Sequence, residues 1–302
     1  MNTSTQQPEH EVIIIGTGFA GLGMAINLKK ADKHNFVIFE RESDVGGTWK
    51  VNHYPGCACD VQSHLYSFSF EPNPQWSRMF SPQQEIWNYL RGCADKYDVR
   101  QHIRFNSEVT SAHYDEDAAL WTVSTADGQK ATARIVVSAM GPLDRPFIPD
   151  LKGIENFKGK SFHSQDWDHG YDLAGKKVAV IGTGASAIQF VPQIAKQVDE
   201  LHLMQRTPPW IMPKPDRNVS KLEQALFNRL PAVQKAMRGG IYRLLESRAL
   251  AFVFAPRLMR IIQKLAVWHI NKNIKDPELR KKLTPDYTIG CKRILISNDY
   301  YP

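Results

Sequence analysis

The sequence predicts an α/β protein built on two separate strand–turn–helix units, with a helical insertion in the second. Three observations predict it. A β-branched run, Val12-Ile13-Ile14-Ile15, leads directly into Gly16-Thr17-Gly18-Phe19-Ala20-Gly21 and then into a pattern with Leu22, Ala25, Ile26 and Leu28. Val178-Ala179-Val180-Ile181 leads in the same way into Gly182-Thr183-Gly184-Ala185-Ser186-Ala187 and on to Ile188, Val191 and Ile194. Residues 214–283 carry mostly helical periodicity instead. Short continuous apolar runs suit strands buried on both faces of a parallel sheet, and apolar residues three or four apart form one face of a helix. Each unit is therefore expected to be a Rossmann-like dinucleotide-binding domain.

The remaining elements follow in order. Phe36-Val37-Ile38-Phe39 reads as a second buried strand ending at Glu40, and Leu201-His202-Leu203-Met204 as its counterpart ending at Gln205-Arg206. Residues 103–109, 121–125 and 135–139 read as strands, with Asp127-Gly128 as a turn. Gly141, Pro142, Pro146, Pro149 and Gly153 mark a linker, and Pro208, Pro209, Pro213 and Pro215 a second boundary. Beyond it the helical pattern breaks at Pro231, Gly239-Gly240, Pro256 and Pro277, and Ile294-Leu295-Ile296 reads as a short strand. The expected organisation is a first nucleotide domain over residues 1–145 and a linker over 146–160. A second nucleotide domain follows over 161–213 and 284–302, interrupted by the insertion at 214–283.

A chain of 302 residues is long enough for two cores. Its four cysteines, Cys57, Cys59, Cys93 and Cys291, contain no C-x-x-C pair, which argues against a disulfide scaffold. Cys57 and Cys59 lack a second pair at zinc spacing, so reduced thiols and no metal are expected. The first ten residues are polar and carry no leader-like apolar core. The most apolar stretch, residues 249–255, is too short to span a bilayer and is followed by Arg257 and Arg260; a cytoplasmic protein is expected. The net charge of +7 is uneven, because residues 214–283 hold 16 Lys and Arg against 5 Asp and Glu. A solvated helical face accounts for this, and contact with an anionic surface or ligand remains a second reading. No nucleic-acid partner is expected.

The Gly-rich turns carry the first chemistry. The first glycine of such a turn permits the tight bend, the second lets backbone approach a pyrophosphate, and the third lets helix and strand pack closely. The helix N-terminus then offers amide N–H groups to phosphate. Gly16, Gly18, Phe19, Ala20 and Gly21 are expected to do this in the first unit, and Gly182, Gly184, Ala185, Ser186 and Ala187 in the second. The residue closing the next strand separates the two. Glu40 lies 19 residues after Gly21, where a carboxylate accepts from ribose hydroxyls and repels a 2′-phosphate. Arg206 lies 19 residues after Ala187, where a guanidinium favours that phosphate. FAD is expected on the first turn and NADPH on the second. No redox cysteine pair is present to accept electrons from a flavin, so oxygen is the expected acceptor.

Two further stretches resemble a known family. Residues 157–168 match F-x-G-x-x-x-H-x-x-x-W-[P/D] at Phe157, Gly159, His163, Trp167 and Asp168. Gly46-Gly47-Thr48-Trp49, Tyr54-Pro55-Gly56 and Asp60 match [A/G]-G-x-W-x-x-x-x-[F/Y]-P-[G/M]-x-x-x-D. Together they resemble type I Baeyer–Villiger monooxygenases; related flavin-containing monooxygenases carry Tyr or Phe in place of Trp167. The resemblance runs over residues 12–301. Gly290-Cys291-Lys292-Arg293, followed by Tyr300-Tyr301, is similar to the family segment that holds the active-site arginine. The resemblance implies that Arg293 is catalytic, that Asp60 pairs with it beside the flavin, and that Lys292 joins Arg206 at the 2′-phosphate with Thr207 assisting. It implies Gly47, Thr48 and Trp49 at the flavin and His163 in domain motion and cofactor handling. Packing remains an equal reading of Trp49 and an alternative reading of Trp167.

The implied reaction inserts one oxygen atom of O2 into a lipophilic ketone through a C4a-peroxyflavin, giving an ester or lactone. The alternatives are an N- or S-oxidising flavin monooxygenase and a truncated nucleotide-binding chain without turnover. In the insertion, Leu250, Phe252, Phe254, Leu258, Ile261, Ile262, Leu265 and Trp268 with interleaved Arg and Lys read as amphipathic helices. Packing onto the second domain and peripheral contact with an anionic membrane are both readings of them. Members of the family are expected to continue past Tyr300-Tyr301 and return to the first domain. The chain is therefore expected to be a fragment that holds FAD weakly or not at all.

Overall fold

The computed structural model describes residues 7–143, 145–254 and 259–301. Pro256, Arg257, Leu258 and Pro302 lie outside them, as do the side chains of Leu250 and Phe252. The chain divides into two compact units, one formed by Met1–His53 and Gln83–Asp166, the other by Tyr54–Pro82 and Trp167–Pro302.

The first unit is a six-stranded sheet with helices α1 (Phe19–Lys30), α2 (Thr48–Val51) and α3 (Gln83–Lys96). Its strands are β1 (His10–Ile15), β2 (Phe36–Phe39), β3 (Ile103–Arg104), β4 (Val109–Asp115), β5 (Leu120–Thr125) and β6 (Lys130–Ser138), ordered β3-β2-β1-β6-β5-β4. β1 pairs in parallel with both β2 and β6, so the strand order reverses beside the carboxyl end of β1, where Gly16 stands. Crevices of this kind receive ligands in open α/β sheets. Ile13, Ile15, Val37, Phe39, Val123, Ala131 and Ala133 form a buried core cluster. The expected strand over 103–109 is instead two elements. Asn106 adopts φ 53° between them, and β4 begins only at Val109.

The second unit pairs β7 (Lys177–Ile181) in parallel with β8 (Glu200–Met204), and β9 (Ile211–Met212) in parallel with β10 (Leu295–Ile296). Around these lie α4 (Ala187–Ile194), α5 (Lys221–Arg229), α6 (Pro231–Val253), α7 (Met259–Asn273) and α8 (Pro277–Leu283). Ile188, Trp210, Ile211, Met259, Ala266, Ile270, Ile274, Ile289, Leu295 and Tyr301 form its core cluster. β7 and β8 are less buried than their sequences suggest: Ile181 and Met204 are exposed because, among the described residues, this sheet has two strands.

The helix breaks are also placed differently. Pro231 and Pro277 are the first residues of α6 and α8, where a missing N–H costs nothing. Gly239-Gly240 lies inside α6 without interrupting it. On α7 the buried face is Met259, Ala266, His269 and Ile270, whereas Ile261, Leu265 and Trp268 lie on the exposed side.

Candidate functional site

In the first unit the turn after β1 is shaped by close backbone approach. Gly16 has φ 98°, and a Cβ there would lie 2.8 Å from Ala139 O. A Cβ on Gly21 would fall 1.9 Å from Gly16 O, so only glycine lets α1 start this near the strand. Gly47, at φ 52°, packs on Gly18; a Cβ on it would stand 2.8 Å from the Gly18 Cα. The helix opens at Phe19 and Ala20 with no side-chain cap and no acidic residue in its first turn. Glu40 is buried at the end of β2. Its carboxylate accepts from the Thr17 amide at 2.8 Å, the Thr17 hydroxyl and the Glu42 amide at 2.8 Å. Glu40 thus holds the turn to the second strand, at the position where the sequence predicts that a ribose is read. Thr48 opens α2, and Trp49 is buried there, its carbonyl accepting from Gln83.

In the second unit, Gly182 adopts φ 104°, and a Cβ added to Gly184 would meet nothing within 4 Å. α4 begins at Ala187 after Ser186 and Ala185, again with no side-chain cap and no acid in the first turn. The contrast lies in the insertion, where Ser220 and Glu223 form a capping box on α5 and Asp276 caps α8. The two helices that follow glycine turns keep their N-terminal amides free of such caps. That arrangement fits a bound pyrophosphate in each unit. Arg206 is exposed in the turn after β8, followed by half-buried Thr207. Lys292 Nζ lies 4.6 Å from the centre of the Tyr287 ring. Among the described residues no carboxylate pairs with Arg206 or Lys292.

The second unit also joins Asp60 to Arg293. Arg293 Nη2 donates to Asp60 Oδ2, with the side chains 60% and 37% exposed. Asp60 is held by its own loop: the Cys59 amide donates to Ser81 O at 3.0 Å, and the Ser63 and Ser81 hydroxyls lie 2.7 Å apart. Burial pushes the Cys59 thiol up to about 12, as it pushes Cys57 up to about 11, so both stay protonated. Tyr54 and Gly56 dock this loop on α4. Tyr54 Oη donates to Gln189 Oε1 at 3.1 Å, and the Gln189 amide exchanges two bonds with the backbone of Ala58. Gly56, at φ 78°, would place a Cβ 2.7 Å from Gln189 O. Trp167 stacks obliquely on Phe190 of α4, 5.1 Å between centres, and Asp168 Oδ1 caps the Gly170 amide.

The fingerprint's other members lie in the first unit. The Phe157 ring covers Gly159, where a Cβ would fall 2.4 Å from it, and His163 Nδ1 accepts from the Gln165 amide at 3.1 Å. Sequence reasoning missed Thr17, Gln83, Gln189 and Tyr287, and the insertion residues that hold the Asp60 loop. Of these, Arg238 donates to the carbonyls of His64, Leu65 and Ser67, at 2.8 Å in the shortest case. Gln234 donates to Asn73 O and Gln224 to Trp76 O. No helix among the described residues is long and apolar enough to cross a membrane, and none of their His, Cys, Asp and Glu groups form a metal cluster.

Comparison with known proteins places the chain in a family. The chain is 60% identical to a Baeyer–Villiger monooxygenase of Pseudomonas aeruginosa over 97% of this chain and 55% of that protein. It is 52% identical to a Baeyer–Villiger monooxygenase of Streptomyces coelicolor over 98% of this chain and 57% of the relative. It spans about half the length of these curated relatives. Among solved structures, the OTEMO complex with FAD and NADP superposes with a TM-score of 0.86 at 33% identity, covering 98% of this chain and 64% of that one. Oxidised steroid monooxygenase bound to NADP superposes with a TM-score of 0.86 at 33% identity, covering 97% and 63%. The family model for flavin-binding monooxygenase-like proteins matches residues 9–252, and the chain belongs to that family.

Proposed function

We propose that the chain carries the FAD- and NADPH-binding core of a Baeyer–Villiger monooxygenase that converts a lipophilic ketone to an ester or lactone with one atom of O2. The observation that carries the reading is the Asp60–Arg293 pair on the unit that also holds the second glycine turn. Gly16, Gly18, Phe19, Ala20, Gly21, Glu40, Gly47, Thr48 and Trp49 would hold FAD. Gly182, Gly184, Ala185, Ser186, Ala187, Arg206, Thr207 and Lys292 would hold NADPH. When bound, the two cofactors supply hydride and activated oxygen, chemistry that no side chain here provides.

The protein's part is orientation and charge. The guanidinium of Arg293 suits negative charge developing on the ketone oxygen. Asp60 limits where that guanidinium points. The uncapped N-termini of α1 and α4 would fix the pyrophosphates, and Arg206 would select the phosphorylated nicotinamide cofactor. None of the four cysteines, all among the described residues, forms a disulfide, which suits a reducing compartment such as the cytoplasm.

The test is ketone-dependent NADPH oxidation with ester measured directly, on protein loaded with FAD. Arg293→Ala should abolish ester formation while leaving flavin reduction largely intact. Ester made at the parent rate by that variant would remove Arg293 from the chemistry, and oxidation of sulfides or amines alone would favour an N- or S-oxidising enzyme.

A membrane contact is a second part of the proposal. On α7, Ile261, Leu265 and Trp268 are 66%, 46% and 51% exposed, flanked by Arg260, Lys264 and Lys272, and the helix carries no carboxylate. Such a face fits the headgroup region of an anionic bilayer. Flotation with phosphatidylglycerol vesicles should show salt-sensitive binding that Trp268→Glu abolishes. Absence of binding at low salt would discard the contact.

A further inference from the structure

Arg206 and Lys292 come from distant parts of the sequence, and one side chain touches the placement of both. Arg206 sits in a turn that is tied on either side. Gln205 Nε2 donates to Lys282 O at 3.1 Å just before it, and Tyr287 Oη donates to Pro208 O at 3.1 Å just after it. The backbone of Tyr287 is anchored in return, because Trp210 Nε1 donates to Tyr287 O at 2.9 Å. The same Tyr287 ring carries Lys292 Nζ on its face, 4.6 Å from the centre. Its hydroxyl thus holds the turn that bears Arg206, and its ring holds the second cation. Lys275, Lys281 and Lys282 are also in this part of the chain, yet none of them sits on a ring that reaches the Arg206 turn.

The physical consequence follows from lysine's flexible stem. Ordering a long side chain on binding opposes affinity, and a cation already resting on an aromatic face has lost part of that freedom beforehand. Neither Arg206 nor Lys292 is neutralised by a carboxylate among the described residues, so both charges remain available to an anion.

We infer that Tyr287 is a positioning residue: it presets Lys292 and the Arg206 turn for a single dianionic phosphate on a ribose, and so sets the preference for a phosphorylated nicotinamide cofactor. The inference rests on reading the second glycine turn as the NADPH site.

Calorimetric binding of adenosine 2′,5′-bisphosphate and of 5′-AMP tests it without turnover. The parent chain should bind the bisphosphate more tightly. Tyr287→Leu, which keeps apolar bulk against Trp210 but removes ring face and hydroxyl, should weaken the bisphosphate about tenfold and leave 5′-AMP within about twofold. Tyr287→Phe keeps the ring and loses only the tether, so it should recover about half of the loss in free energy, to about threefold from the parent. Equal weakening of both ligands by Tyr287→Leu, or no weakening in a folded variant, overturns the role of Tyr287 while the parent's preference stands. A parent chain that binds both ligands alike overturns the NADPH reading and this inference with it.

Discussion

Exchanging Glu40 for Gln perturbs the first turn at a single atom. Glu40 is 6% exposed. Its Oε2 accepts from the Thr17 amide at 2.8 Å and from the Thr17 hydroxyl, and its Oε1 accepts from the Glu42 amide at 2.8 Å. A glutamine of the same shape can keep its oxygen on the two Thr17 donors. Its NH2 then faces the Glu42 N–H, donor against donor, and the remaining bonds lose their ionic partner. A bond to a charged acceptor contributes about 1.5–3 kcal/mol, and an orphaned buried donor costs about 1–3 kcal/mol. The turn should therefore open more easily by roughly 2–3 kcal/mol, or about 30- to 150-fold in its opening equilibrium. Hydrogen–deuterium exchange of peptides covering residues 12–22 reads this directly. Thr17→Val should show less than additive loss with Glu40→Gln, because both remove the same contact. Unchanged exchange in 12–22, or an equal rise along β4 and β5, would refute the tether.

Three other outcomes follow from the second unit. Gly56→Ala forces a Cβ at φ 78° to within 2.7 Å of Gln189 O, so it should lower stability by about 1–3 kcal/mol, read as a fall in the urea midpoint. Arg238→Met strips donors from the carbonyls of His64, Leu65 and Ser67, and exchange across residues 64–76 should rise while α4 is unaffected. Burial holds His64 and His269 below the usual 6.5. The unfolded chain then takes up their protons first, so stability is full above about pH 6.5 and falls as pH drops further. His64→Gln should flatten part of that fall in urea midpoints between about pH 7.5 and 5, and identical slopes would exclude His64 as a contributor.

What was legible in the sequence is what depends on neighbours in the chain. A strand that runs into a glycine turn and a helix is settled within about a dozen residues, and both units appear where their patterns stand. The misreadings come from longer-range forces. Gly239-Gly240 looked like a break, but the turn of α6 just before it is fixed by Gln234 and Arg238, which reach the 64–76 segment. β4 has a polar, exposed sequence, and only its ladder with β5 makes it a strand. α3 was readable and overlooked: Ile86, Leu90, Cys93 and Ala94 recur at helical spacing and are all buried. Asp60 and Arg293 came from family resemblance alone, since no spacing rule connects residues 233 positions apart.

The contacts that aim the charged residues of the second unit left no pattern because of their chemistry. Gln189 on Ala58, Arg238 on His64 and Leu65, Gln205 on Lys282 and Tyr287 on Pro208 are all side chains donating to a backbone carbonyl. Every residue type offers that carbonyl, so only one of the two positions is constrained in type, and no complementary pair of residues exists to be read. Yet the Gln189 and Arg238 contacts matter more to placement than the ion pair they serve. An ion pair as exposed as Asp60–Arg293 contributes about 0–1 kcal/mol, too little to hold a loop of this length in place by itself. Removing Gln189 should accordingly displace Asp60 from Arg293 while the core of the second unit, which Gln189 does not enter, remains folded. The Asp60–Arg293 geometry would fail at its tethers before it failed at its charges.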